Sequence, residues 1–387
     1  MIIKKVKAKL IRNSRGEETI KIQVKTDKGK GEASAPSGAS KGEHEAKAFI
    51  KPVNECVKFI NKSEFKDIEI NSFDDLKKIE EIINRDNLGS NPTIALEYAI
   101  LKCFGPLWKV INSESKELPR PLGNVIGGGV HIKGGEHSEF QEFLLYPLNA
   151  PTFDEAVKAN ELAHRLIKKY INSKDLEMTD EGAWAPEMMI EDILDLLQKI
   201  VKQVYSEMGI TLKIGLDVAA SSFWDGKNYI YRDKKFNSKE QIDYISLLIE
   251  KYNLHYVEDP LHENDFSGFA KLTEKYKDKC MICGDDLTVT NLTRLKKAIK
   301  SKSINAMIVK PNQNGSLLDT AEVIKEAKKH KLYLIVSHRS GETLDASISH
   351  LAVGYKLPII KCGVYGKERK IKLSEISKIE KQIKYKI

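Results

Sequence analysis

The pattern of apolar runs predicts an α/β fold, with an N-terminal α+β domain over residues 1–120 and an eight-stranded barrel over 121–387. Three observations carry this expectation. Six short apolar runs in the second half, at 212–217, 254–258, 280–285, 305–310, 332–338 and 357–361, end in Asp217, Glu258, Asp285, Lys310, His338 and Lys361. Apolar runs that stop at a polar residue are what buried parallel strands look like when their carboxyl ends open into an active site. The run ends lie about 25 to 40 residues apart with a helical stretch in each interval, the size of a strand-helix unit. Two further apolar runs and two helical stretches precede the series, which brings the strand number to the eight that close a small barrel.

Taken in order, residues 19–25 alternate Ile20, Ile22 and Val24 with Lys21, Gln23 and Lys25, the period of a half-buried strand. Asp27-Lys28-Gly29 then supplies a hairpin turn. The small residues at 35–42, with Gly38 and Gly42 as pivots, read as a mobile loop. Helices are expected over 73–84 and 91–110, the second with Asn91 as its cap and Pro92 at the first helical position. From Pro121 onward, apolar runs at 123–126 and 140–147 lead into helices over 152–171 and 186–208. Thr152 with Glu155 forms a capping box, and Gly209 stops the second helix. Helical stretches such as 238–253 and 316–330 fill the later intervals. An open doubly wound sheet would announce a Gly-rich turn opening a helix, and Gly127-Gly128-Gly129 does neither.

A chain of 387 residues, 41% hydrophobic and 30% charged, suits about two domains with an ample core. The net charge of +8 is spread along helices, as at 325–331 and 367–372, where basic residues alternate with Glu and apolar positions. Such stretches read as solvated helix faces, so nucleic acid is not an expected partner. The 5 cysteines form no regular framework, which points to a reducing compartment. Cys280 and Cys283 make a C-x-x-C pair inside an apolar run, where packing is the expected role. With no signal-peptide pattern and no long apolar span, the expectation is a cytoplasmic protein without membrane contact.

Asp217, Glu258 and Asp285 end three successive runs, so a barrel would set them side by side on one rim. Three crowded carboxylates must protonate or gather a cation, and all-oxygen ligands favour a hard ion such as magnesium. Each acid could instead cap its own loop. Lys310 ends the next run, where burial and a neighbouring cation would lower its pKa toward that of a base; the alternative is an ion pair with one of the carboxylates. After the following run, His338-Arg339-Ser340 offers a guanidinium fork and a hydroxyl for phosphate, and Lys361 adds a second cation one strand further on. Solvated loop positions are the alternative for Arg339 and Lys361. Glu142 and Glu181 lie outside the series and are poor metal-ligand candidates by position.

The motifs Ser14-Arg15-Gly16, Pro36-Ser37-Gly38-Ala39-Ser40, Gln141-Glu142-Phe143, Asp180-Glu181-Gly182, Val257-Glu258-Asp259-Pro260, the stretch 284–291 and the stretch 337–343 together resemble the enolase family. The likeness runs from about Ser14 to Arg369. It implies an N-terminal lid domain on a barrel of two strands, two helices and six strand-helix units. It also implies conversion of 2-phosphoglycerate to phosphoenolpyruvate, with two magnesium ions per site, the second arriving with substrate, in a homodimer or higher homo-oligomer. Carried over, the resemblance makes Asp217, Glu258 and Asp285 ligands of the first ion and Ser40 a ligand of the second. Lys310 becomes the base and Glu181 the acid, with Glu142 beside it. Arg339 and Ser340 would hold phosphate, Ser37 and His131 would close over it, Lys361 would face the substrate carboxylate and His338 would line the pocket. His137 is a rival to His131 on the same loop. Two other readings are a paralogue acting on a related acid and a non-catalytic binding protein on the same fold. Retention of Ser40, Arg339, Ser340 and Lys361 argues against the first, and retention of Lys310 and the metal carboxylates argues against the second.

Overall fold

The computed structural model describes residues 1–39, 42–83, 85–132, 134 and 136–384. It opens with an antiparallel three-stranded sheet, Ile3–Arg12, Glu18–Thr26 and Lys30–Ser34, in sequence order. Ile20, Ile22 and Val24 point inward, as their alternation requires, and the sheet packs on the helices Val53–Lys62 and Ser90–Leu101. The hairpin closes with the Thr26 amide donating to the carbonyl of Gly29 at 2.9 Å.

The helix expected over 91–110 is not continuous. It runs Ser90–Leu101, tightens into one 3₁₀ turn and restarts as Leu107–Asn112, because the ring of Pro106 cannot continue a helix. Nor does Asn91 cap it: Gly89 takes that position with φ +102°, and the Asn91 side chain donates to the carbonyl of Pro36 at 2.9 Å. Every residue of Ser90–Leu101 is buried, since this helix is clamped between the N-terminal sheet and the barrel.

Among the described residues, ten strands make up the second sheet, and eight of them close on themselves. The ring runs Arg120–Gly127, Glu142–Pro147, Leu212–Asp217, Tyr256–Glu258, Met281–Gly284, Ala306–Val309, Tyr333–Ser337 and Ile359–Gly363, the last pairing in parallel with the first. Glu142–Pro147 is antiparallel to both its neighbours, and every other contact in the ring is parallel. Two helices, Phe153–Ile171 and Ile190–Met208, separate the second and third strands. The first is capped by Thr152, whose hydroxyl accepts from the Glu155 amide at 3.1 Å, and the second ends at left-handed Gly209. This is the expected order of two strands, two helices and six strand-helix units.

The barrel interior is filled by Leu122, Leu144, Tyr256, Met281, Cys283, Ala306, Ile308, Ile335 and Ile359. Cys280 and Cys283 are both buried in packing. The lysines at 325, 328 and 329 are exposed, as expected, but the basic run in Lys367–Lys384 is only partly so. Arg369 and Lys372 are buried because this helix lies under the 339–343 loop. There Lys372 pairs with Glu342 at 2.8 Å, and Arg369 donates to the carbonyl of Ser340 at 2.6 Å.

Candidate active site

Strand register brings three acids together. Glu142 lies opposite Asp217, and Asp217 opposite Glu258, so three neighbouring strands present carboxylates at one level, directly above the apolar plug. Lys361, the third residue of the last strand, points into the same layer. Its ammonium lies 2.6 Å from Asp217, 2.8 Å from Glu258 and 3.1 Å from Glu142. These charges outweigh burial and hold the Lys361 pKa well above its ordinary value. Burial, reinforced by Asp217, pushes Glu258 up to about 8. The Glu258 Oε2 also accepts from the Tyr256 hydroxyl at 2.5 Å, whereas its buried Oε1 has no hydrogen-bond donor.

Asp285, just past its strand, pairs with Lys310, which opens the next loop, and accepts from the Gln313 side chain at 2.9 Å. Burial would raise Asp285, but Lys310 outweighs it and lowers its pKa. For Lys310 the same pair reverses one expectation: burial favours the neutral amine, yet the charge of Asp285 wins and its pKa is raised. Thr290 supports this arrangement from a left-handed backbone, φ +51°, accepting from the Lys310 amide and donating to Gln313, each at 2.9 Å.

Across the pocket, Glu181 receives a hydrogen bond from Asn124 at 3.2 Å and faces His338 Nε2 at 3.3 Å and His131 Nε2 at 3.9 Å. Burial would raise Glu181, but the two histidines hold it well below the usual range. Burial lowers the His338 pKa, whereas for His131 the charges of Glu181 and Asp180 outweigh burial and raise it. Glu142 goes the other way: burial, with the negative charge of Glu181, pushes it well up. The two acids are therefore driven in opposite directions.

The third wall is Arg339. Its guanidinium pairs with Glu45 at 2.8 and 3.0 Å and donates to Asn312 at 2.8 Å. Gly38 lies so close that a Cβ there would fall 1.9 Å from Nη2. The Ser340 hydroxyl accepts from the amide of Ala39, and Ser37 meets the rim through its backbone, exchanging bonds with Gly341 at 2.8 Å each.

One pocket is thus lined by His131, Glu142, Glu181, Asp217, Asp285, Lys310, His338, Arg339, Ser340 and Lys361. Glu258 lies beneath it, fully buried. Ser40 lies outside the described residues. His137 does not line the pocket; it borders a crevice with Gly134 and the stretch 185–188, so His131 is the histidine that the loop brings in. Two acid groups were not anticipated as cation sites: His131 with Glu142 and Glu181, and Asp259 with Asp285 and Asp286, each with ligand atoms within 4.8 Å of one another. Both acids stand outside the series of run ends: Glu142 because its strand runs antiparallel and it begins that strand, and Glu181 because it sits in the turn between the short strands Glu177–Met178 and Trp184–Ala185. Sequence reasoning also assigned no role to Glu45, Asn124, Asn312 or Gln313, although Asn312 stands two residues after Lys310.

The donor set fits a hard divalent ion. Asp217, Glu258 and Asp285 supply only oxygen, and Glu258 Oε1 is a buried acceptor without a donor. No described helix is long and apolar enough to cross a membrane.

Comparison with known proteins places two family models on the chain. The model described as "Enolase, N-terminal domain" matches residues 3–105, and "Enolase, C-terminal TIM barrel domain" matches 115–386. The enolase of Archaeoglobus fulgidus is 40% identical over 98% of this chain and 97% of its own length. That of Methanosphaera stadtmanae is 42% identical over 99% and 97%, and that of Methanothermobacter thermautotrophicus 39% over 99% and 97%.

Proposed function

The chain belongs to the enolase family, and from that premise we propose that it catalyses the reversible dehydration of 2-phosphoglycerate to phosphoenolpyruvate, a hydro-lyase reaction of glycolysis and gluconeogenesis. The observation that carries this reading is the convergence of a carboxylate cluster, a buried lysine and an arginine-serine pair on a single pocket. Lys310 is the base. It becomes available once Asp285 and Glu258 are committed to a cation, because burial and the charges of Arg339 and Lys361 then favour the neutral amine. The proton it takes lies next to a carboxylate, so negative charge builds on a group already charged. Lys361 is the cation placed to face that carboxylate, and Arg339 with Ser340 holds the phosphate. Glu181, with Glu142 beside it, protonates the departing hydroxyl.

Magnesium is the ion proposed, with Asp217, Glu258 and Asp285 holding the first and Ser40 contributing to a second that enters with substrate. When bound, such an ion supplies electrostatic stabilisation of the charge that develops on the substrate carboxylate. A homo-oligomer working in the cytoplasm completes the reading. Purified protein with magnesium and 2-phosphoglycerate should generate the ultraviolet absorbance of phosphoenolpyruvate, and Lys310→Ala should abolish it, with thermal melting in magnesium confirming that the variant is folded. Absence of turnover by the wild-type protein refutes the assignment.

A further inference from the structure

The Ser14-Arg15-Gly16 turn of the N-terminal domain has no task in the chemistry above, yet it touches both sides of the pocket. Its Ser14 amide donates to the carbonyl of Glu342 at 2.8 Å, and its hydroxyl donates to the carbonyl of Ser340 at 3.2 Å. Arg15 reaches the opposite side and pairs with Oδ2 of Asp180, while Oδ1 of the same carboxylate lies 2.8 Å from His131 Nδ1. An ionised carboxylate only accepts hydrogen bonds, so Nδ1 carries the hydrogen and Nε2 is the nitrogen turned toward Glu181 and the pocket. Neither Arg15 nor Asp180 lines the pocket, and the His131 side chain is 4% exposed, so the ring has one polar anchor, Asp180, and one working edge.

We propose that Arg15 and Asp180 form a positioning arm: the N-terminal domain, through Arg15, holds Asp180 in place, and Asp180 fixes the orientation and the Nδ1–H state of His131, so that Nε2 is presented to substrate. This rests on the pocket assigned above but makes a separate statement about it. Neither Arg15 nor Asp180 takes part in proton transfer. They act through His131, as carboxylates that orient metal-bound histidines do, and loss of those partners costs about 10- to 100-fold.

Asp180→Asn in the full chain keeps the shape but can turn an NH₂ toward Nδ1, which favours the opposite tautomer. With magnesium and 2-phosphoglycerate, kcat/KM should fall about 10- to 100-fold, and the ¹⁵N signals of His131 should show Nδ1 losing its proton. Arg15→Gln should produce a smaller fall of the same kind, and Arg15→Lys should recover most of it. If Asp180→Asn does not fold, the Arg15 pair carries the test alone. Wild-type kinetics with unchanged His131 signals in Asp180→Asn overturn the arm, as does a loss of activity that follows melting temperature with those signals unmoved. Failure of the wild-type protein to turn over 2-phosphoglycerate refutes the assigned reaction instead, while the His131 signals still decide the arm.

Discussion

Gly38→Ala adds one methyl group where the lid segment crosses Arg339. An ideal Cβ would stand 1.9 Å from Nη2, 2.7 Å from Cζ and 2.9 Å from Nε, far inside a normal contact of about 3.5 Å. A free arginine tip would swing away, but this one is held by two bonds to Glu45 and one to Asn312. Hydrogen bonds to charged groups contribute about 1.5–3 kcal/mol each, so the methyl either displaces the guanidinium against those three bonds or lifts residues 36–39 off the rim against the bonds of Ser37 with Gly341 and of Ala39 with Ser340. Either outcome separates residues 36–39 from Arg339 and Ser340, the pair proposed to hold the phosphate. A misplacement of about 1 Å at such a clamp costs about 100-fold, or about 2.7 kcal/mol of transition-state stabilisation. The assay is steady-state production of phosphoenolpyruvate, with kcat and KM determined separately and thermal melting as the control. KM for 2-phosphoglycerate should rise and kcat fall, with melting unchanged, since the segment contributes little to either core. A variant within about threefold of wild type in kcat/KM would show that the lid does not need its close approach to Arg339, and the reasoning would fail.

Lys361→Gln should destabilise the protein by about 3–5 kcal/mol without divalent ions, because the buried acids at 142, 217 and 258 lose the ammonium they share, and magnesium should restore more of that loss than it adds to wild type; equal magnesium shifts in the two melting curves would refute this. A pH dependence follows from Glu258, held at about 8 by burial and by Asp217. A raised carboxylate pKa means that below about pH 8 a cation must displace a proton, so apparent magnesium affinity should climb about tenfold per unit toward pH 8 and level off above it, which calorimetric titration across pH would check.

Much of the rim was legible in the sequence, because a buried strand is written as an apolar run and its working residue as the break in that run. Asp217 and Glu258 are the last residues of their strands, and Asp285, Lys310 and His338 follow theirs immediately. Lys361 departs from this, sitting inside its strand and tolerated there only because three acids from other strands surround it. Glu142 escaped the rule for a geometric reason: its strand runs backward, so the residue on the rim begins the run instead of ending it. Contacts between distant segments, such as Glu45 with Arg339 and Arg15 with Asp180, leave no local pattern, since periodicity reports only which face a residue occupies. The buried Arg369 and Lys372 looked like a solvated face for the same reason.

The reversed strand has an architectural consequence. In a ring of parallel strands, each loop on the working side leads into a helix whose packing fixes both of its ends. The turn back from Arg120–Gly127 to Glu142–Pro147 instead forms a hairpin on the working side, bounded by two hydrogen-bonded strands and followed by no helix. Its length can therefore change without shifting the outer layer of the barrel, and it carries His131 at the pocket's edge. This hairpin is therefore a place where descent or design could vary the pocket's edge while leaving the strand-borne acids of the rim where they are.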